Sequence, residues 1–112
     1  MTETPMLTGH EEIFLLIILK LEENAYGVTI RRKISGETGK DWSLGAIYDH
    51  LYRIEKKGLI ESFMSPPIQE RGGRSRRIFR IREKGLKALT DHKEVRDRLW
   101  EGMRLPQFEP GA

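Results

Sequence analysis

The sequence predicts a mainly helical α+β fold with the element order α-α-α-β-β-α. Three observations carry this. Apolar residues recur at three- and four-residue spacing through the first half. The period turns strand-like after Gly58, and helical spacing returns among many charges from Glu83 onward. At 112 residues the chain holds one modest core and leaves little for a second module, which argues against a large enzyme. Charged residues at 33% and hydrophobic residues at 38% exclude a disordered or collagenous chain. The absence of cysteine removes disulfides, thiolate zinc sites and cysteine nucleophiles, and fits a reducing cytoplasm.

A first helix is expected to start at Thr8-Gly9-His10-Glu11, where threonine and glutamate at this spacing satisfy each other's orphan N–H groups as a capping box. Its body, Ile13 to Leu21, is apolar nearly all round, which predicts burial against both the domain core and a second subunit. That apolar run falls short of the roughly 20 residues that span a bilayer. Its flanks are acidic, unlike those of a secretory leader, so neither membrane insertion nor secretion is expected. Asn24 and Gly27 mark a turn. A second helix is expected from Tyr26 to Ile34, with Val28, Ile30 and Ile34 inward, Arg31, Arg32 and Lys33 outward, and Gly36 and Gly39 ending it.

The third helix is the most informative. Ser43 is a good N-cap, Leu44, Ile47, Leu51 and Ile54 form one apolar stripe, and Gly58 closes the helix. The opposite face carries Gly45, Ala46, Asp49, Arg53 and Lys56, with the small residues first. A recognition helix needs this order, because its first turn must approach base edges closely while longer side chains further along reach bases or phosphates. Leu59 to Phe63 and Arg77 to Ile81 then read as two strands joined by a loop containing Pro66, Pro67, Gly72 and Gly73.

Two strands with a long connecting loop, placed directly after such helices, make the wing of a winged helix-turn-helix over residues 1–82. Residues 83–102 form a last helix carrying Leu86, Leu89, Val95, Leu99 and Trp100, with Glu83–Lys87 and Glu94–Arg98 expected as i,i+4 pairs; residues 103–112 read as a flexible tail. Alone that helix is poorly buried; its apolar residues and those of the first helix can satisfy each other within one chain or across a two-fold axis, and homodimers are the commonest oligomers. Net charge is +3, but its distribution matters more. Arg71, Arg74, Arg76, Arg77, Arg80 and Arg82 contain no acid between them, and such a run on the wing suits the phosphates of double-stranded DNA. A charged hairpin that only protects a sheet edge is the bland alternative.

Other chemistry finds no anchor. His10, His50 and His92 are dispersed and lack metal-ligand spacing, the glycines form no phosphate-binding pattern, and Ser43 has no base partner. No metal or cofactor is therefore expected. Trp42, just before the third helix, reads as a core or staple residue.

The segments Tyr26 to Ile30, Ile47 to Ile60, Gly73 to Phe79 and Ile81 to Gly85 together resemble successive signatures of the PadR family, in order and with fitting spacing over roughly residues 10–90. The resemblance implies a small bacterial winged-helix repressor that dimerises through its C-terminal helix. Candidate DNA contacts are then Ser43, Gly45, Ala46, Tyr48, Asp49, Tyr52, Arg53, Lys56, Arg74, Arg76 and Arg77. The dimer interface is expected to use Phe14, Leu15, Ile18, Leu86, Leu89, Leu99 and Trp100, and Trp100 is the candidate to stack on a small aromatic effector of the kind some relatives bind. The chain departs from the family pattern at Asp49, Ile78-Phe79 and Arg82. An acid at 49 repels phosphate but can accept a hydrogen bond from a cytosine amino group, which would narrow specificity. The alternative function is a winged-helix module that docks another protein and touches nucleic acid only incidentally.

Overall fold

The computed structural model describes residues 6–66 and 75–108. Most of the wing loop, with Arg71, Gly72, Gly73 and the candidate contact Arg74, lies outside the described residues, as do residues 1–5 and 109–112. The elements follow the expected order: α1 Gly9–Leu21, a single 3-10 turn Glu22–Asn24, α2 Gly27–Thr38, α3 Leu44–Lys56, β1 Ile60–Met64, β2 Arg77–Ile81 and α4 Glu83–Trp100.

Helix α1 starts at the capping box: the Glu11 N–H donates to the Thr8 hydroxyl at 3.1 Å, and the Thr8 N–H donates to the Glu11 carboxylate at 2.8 Å. The same carboxylate pairs with the Lys57 ammonium, so the start of α1 is latched to the end of α3. Burial raises the Glu11 pKa, but the hydrogen bonds from Lys57 and Thr8 outweigh it and leave the group below its ordinary value.

Helix α1 is the centre of the domain, touching α2, α3, α4 and β2. Phe14, Leu15, Ile17 and Ile18 are buried there, joined by Ile30 and Ile34 of α2, by Ile47, Leu51 and Ile54 of α3, and by Ile60 and Phe79 of the hairpin. This corrects the interface assignment of Phe14, Leu15 and Ile18. They are at most 2% exposed within one chain, so they are core residues; the apolar side chains that α1 leaves open are Leu16 and Leu19.

Helix α2 runs one turn further than expected: Gly36 lies inside it and Gly39, at φ 72°, ends it. Val28 is exposed rather than inward, because Ile30 and Ile34 already fill the α2 side of the core. Helix α3 matches its predicted stripe and cap, with the Ala46 N–H donating to the Ser43 hydroxyl at 3.1 Å. It closes at Gly58, whose φ of 80° is strained for any side chain with a β-carbon.

The hairpin is antiparallel, with Ile60 opposite Ile81 and Met64 opposite Arg77; β1 begins one residue later than expected. On its other edge β2 receives one further bond: the Phe79 N–H donates to the Ala25 carbonyl at 2.8 Å, joining the α1–α2 connection to the sheet. The first half of α4 belongs to the same core through Gly85, Ala88 and His92. Its second half, where Arg96 meets Glu12 at 3.3 Å, runs on with Leu99 and Trp100 exposed. The i,i+4 pairs on α4 are Lys87–Asp91 and Lys93–Asp97, not the expected Glu83–Lys87 and Glu94–Arg98. Among the described residues no helix is long and apolar enough to cross a membrane.

Candidate nucleic-acid interface

The side of α3 opposite its buried stripe exposes Gly45, Asp49, Tyr52, Arg53 and Lys56, with Ser43 exposed at the cap and Ala46 half-buried. Among the described residues, neither Arg53 nor Lys56 is in an ion pair. Both charges remain available to an external anion. The Ser43 hydroxyl already accepts a backbone hydrogen bond, which makes this residue a cap first.

Tyr48 faces inward. Its ring lies against Gly27 at the start of α2, stacks on Tyr52 with centroids 5.8 Å apart, and approaches Phe79 of β2 at 6.5 Å. A β-carbon at Gly27 would come within 2.6 Å of the Tyr48 ring carbon that bears the hydroxyl. Gly27→Ala is thus expected to expel Tyr48 and cost about 1–3 kcal/mol in thermal or urea unfolding. Tyr48→Ala in the same chain relieves the clash, and additive losses in the double-mutant cycle would show that the two do not touch.

The residue beside Gly27 holds the wing. The Arg76 guanidinium lies 4.5 Å from the centroid of the Tyr26 ring, a cation–π contact, and the Arg76 N–H donates to the Ser65 hydroxyl at 3.0 Å. Arg77 is exposed and donates to the Ser62 hydroxyl at 3.0 Å, which in turn donates to Glu55, and Arg77 is in no ion pair among the described residues. Arg80 differs from its neighbours in the arginine run. Two of its nitrogens bond Glu61, at 2.7 and 3.0 Å, and it covers the Phe63 ring, so much of its charge is spent within the hairpin. The pairing of positions 61 and 80 across the sheet is what the linear run of arginines concealed.

The structure also assembles a cluster that sequence spacing missed. His10 and His50 have ring centroids 5.1 Å apart, and Trp42 lies within 5.1 Å of both, over Phe14. Position 10 is distant along the chain from 42 and 50, and meets them because α1 packs against α3. Burial pushes the His50 pKa down, and electrostatic repulsion from neighbouring His10 and Arg53 pushes it further against a smaller opposing effect of Asp49. Among the described residues no group of three or more potential metal ligands converges. His92, buried between α4 and α1, has its Nε2 3.5 Å from a Glu12 carboxylate oxygen.

The described candidate DNA contacts thus fall into two groups, one on α3 and one on the wing, exposed except for the half-buried Ala46, Tyr48 and Arg76, and joined through Tyr26 and Gly27. Leu86, Leu99 and Trp100 are exposed and Leu89 half-buried on α4, apart from both groups.

The sequence profile of the transcriptional regulator PadR-like family matches residues 15–91. Among solved structures, a PadR-like transcriptional regulator from Bacillus cereus is 29% identical with a TM-score of 0.68, covering 82% of this chain and 84% of that one. A PadR family transcription regulator from Clostridium difficile is 31% identical with a TM-score of 0.56, covering 83% and 88%. RosR of H. salinarum, at 22% identity and a TM-score of 0.64 over 91% and 84% of the two chains, shares the fold. No curated protein sequence matches the chain.

Proposed function

Because the chain belongs to the PadR-like family of transcriptional regulators, we propose that it acts as a repressor, a homodimer that grips an inverted-repeat operator and keeps polymerase off it. The family is one of DNA-binding transcription regulators, not of enzymes. The observation that carries the finer reading is the double clamp at the start of α2, where Tyr26 stacks on Arg76 of the wing and Gly27 seats Tyr48 of α3. Two surfaces with uncommitted positive charge are thereby held in fixed relation, as a protein that reads a groove and grips its flanking backbone requires.

In this reading the α3 helices of two subunits enter successive major grooves about 34 Å apart. Gly45 and Ala46 admit close approach, Arg53 and Asp49 read base edges, Tyr52 and Lys56 follow the backbone, and Arg76 and Arg77, with Arg74 beside them in sequence, hold flanking phosphates. Residues 83–102 pair the subunits through Leu86, Leu89, Leu99 and Trp100; the exposure of Leu99 and Trp100 beyond the chain's own core supports this. In the same reading Trp100, exposed on α4, stacks on a small aromatic effector that releases the operator.

Selection from a randomised duplex pool at physiological salt is expected to enrich an inverted repeat. Arg53→Ala changes the selected sequence, whereas Arg76→Ala weakens every duplex and lowers the slope of log affinity against log salt by about one. Uniform, salt-sensitive binding without enrichment would defeat the operator reading.

A further inference from the structure

Between the end of α1 and the outer face of the hairpin lies a crevice of about 780 Å³. That is within the usual size of a site for a drug-sized molecule. Its apolar lining includes Ile18, Leu19, Phe63, Ile78 and Ile81, and Tyr26 and Arg76 close it on the wing side. The charges around it are unequal in availability. Arg80 is committed to Glu61, and Arg76 lies on the Tyr26 ring. Glu22 and Glu23, exposed at the other side of the crevice, are in no ion pair among the described residues. An apolar trough with two unpaired carboxylates against one unpaired guanidinium, itself held over an aromatic ring, favours a guest with an apolar body and a positive charge.

We propose that this crevice binds a hydrophobic organic cation, whose charge meets Glu22 and Glu23 while its body rests on Phe63, Ile78 and Leu19. The site is separate from Trp100. It also has a consequence for the wing, which rests on the DNA-binding reading above. Arg76 and Tyr26 border the crevice and are also the contact that ties the outer end of the hairpin's strands to the start of α2, so a guest that displaces Arg76 from Tyr26 alters the wing's grip on phosphate. By linkage, DNA and guest then weaken each other equally.

The test uses tetraphenylphosphonium and tetraphenylborate, a cation and an anion of nearly the same shape, titrated calorimetrically into the full chain without DNA. The cation is expected to bind. Glu22→Gln with Glu23→Gln, both on the surface and harmless to folding, weakens it about tenfold, and Trp100→Ala leaves it unchanged. Equal or tighter binding of the borate, no binding of the phosphonium, or its loss in Trp100→Ala would each overturn the site. So would a Leu19→Arg variant that becomes monomeric where the native chain is a dimer, since a second copy would then occupy the crevice. The duplex Kd is expected to rise severalfold with saturating phosphonium, and an unchanged Kd would overturn the coupling to the wing. Failure of the cation-free protein to bind duplex would fall on the functional reading and leave the calorimetric result intact.

Discussion

Gly85→Ala is expected to destabilise the domain by about 3 kcal/mol or more, although alanine is the better helix former by about 1 kcal/mol. The reason is space. A β-carbon at position 85 would sit inside contact distance of the Leu59 carbonyl oxygen and 2.8 Å from Cγ1 of Ile81. The first obstacle is backbone, and it cannot swing away as a side chain does; the same carbonyl accepts the Arg82 N–H at 2.9 Å. Relief requires α4 to lift from the end of α3 and the hairpin, which withdraws Ala88 and His92 from the core. Gly36→Ala is the control, since Gly36 lies within α2 and nothing stands within 4 Å of its would-be β-carbon. There the propensity gain is unopposed, and a stabilisation of up to about 1 kcal/mol is expected. Urea midpoints of the two variants should move in opposite directions, and movement in the same direction would mean that α4 does not seat closely on Leu59.

The second large effect concerns the far end of the same helix. With Leu99 and Trp100 both changed to aspartate, the chain is expected to fold normally, because these side chains lie outside its own core at 68% and 53% exposure. It is also expected to become monomeric in light scattering. Operator affinity then falls by about 10² or more, since the second half-site loses the high effective concentration that pairing confers. A monodisperse dimer with undiminished affinity would remove α4 from the pairing surface. A monomer with undiminished affinity would instead show that one α3 and one wing suffice.

The sequence announced features that depend on local spacing. The Thr8–Glu11 box, the Ser43 cap, the α3 stripe and the alternation of β2 all rest on residues within a few positions of one another. Misreadings arose where a distant neighbour decides. Phe14, Leu15 and Ile18 belong to a helix apolar on most sides, and periodicity cannot tell a face covered by β2 or α3 from one covered by a second chain. Hydrophobicity alone turns Val28 inward, but the core beside α2 is complete without it. Of the candidate site, the outward face of α3 was legible because it is the complement of the stripe. The division of labour among the arginines was not, since it depends on Glu61 across the hairpin and on Tyr26 some fifty residues away. The Trp42–His10–His50 cluster was hidden for the same reason.

The single bond from the Phe79 amide to the Ala25 carbonyl also grades the hairpin's behaviour in time. That amide can meet solvent only when β2 parts from the connection between α1 and α2, which requires the buried Phe79 and Ala25 to come out of the core. Its hydrogen should exchange with deuterated water at the rate of global opening. The amide of Ser65, bonded to the Arg76 carbonyl at the outer end of the ladder, should exchange by local fraying alone. The root of the wing therefore keeps the clock of the whole molecule, while its outer end can adapt to a bound surface many times within each global opening.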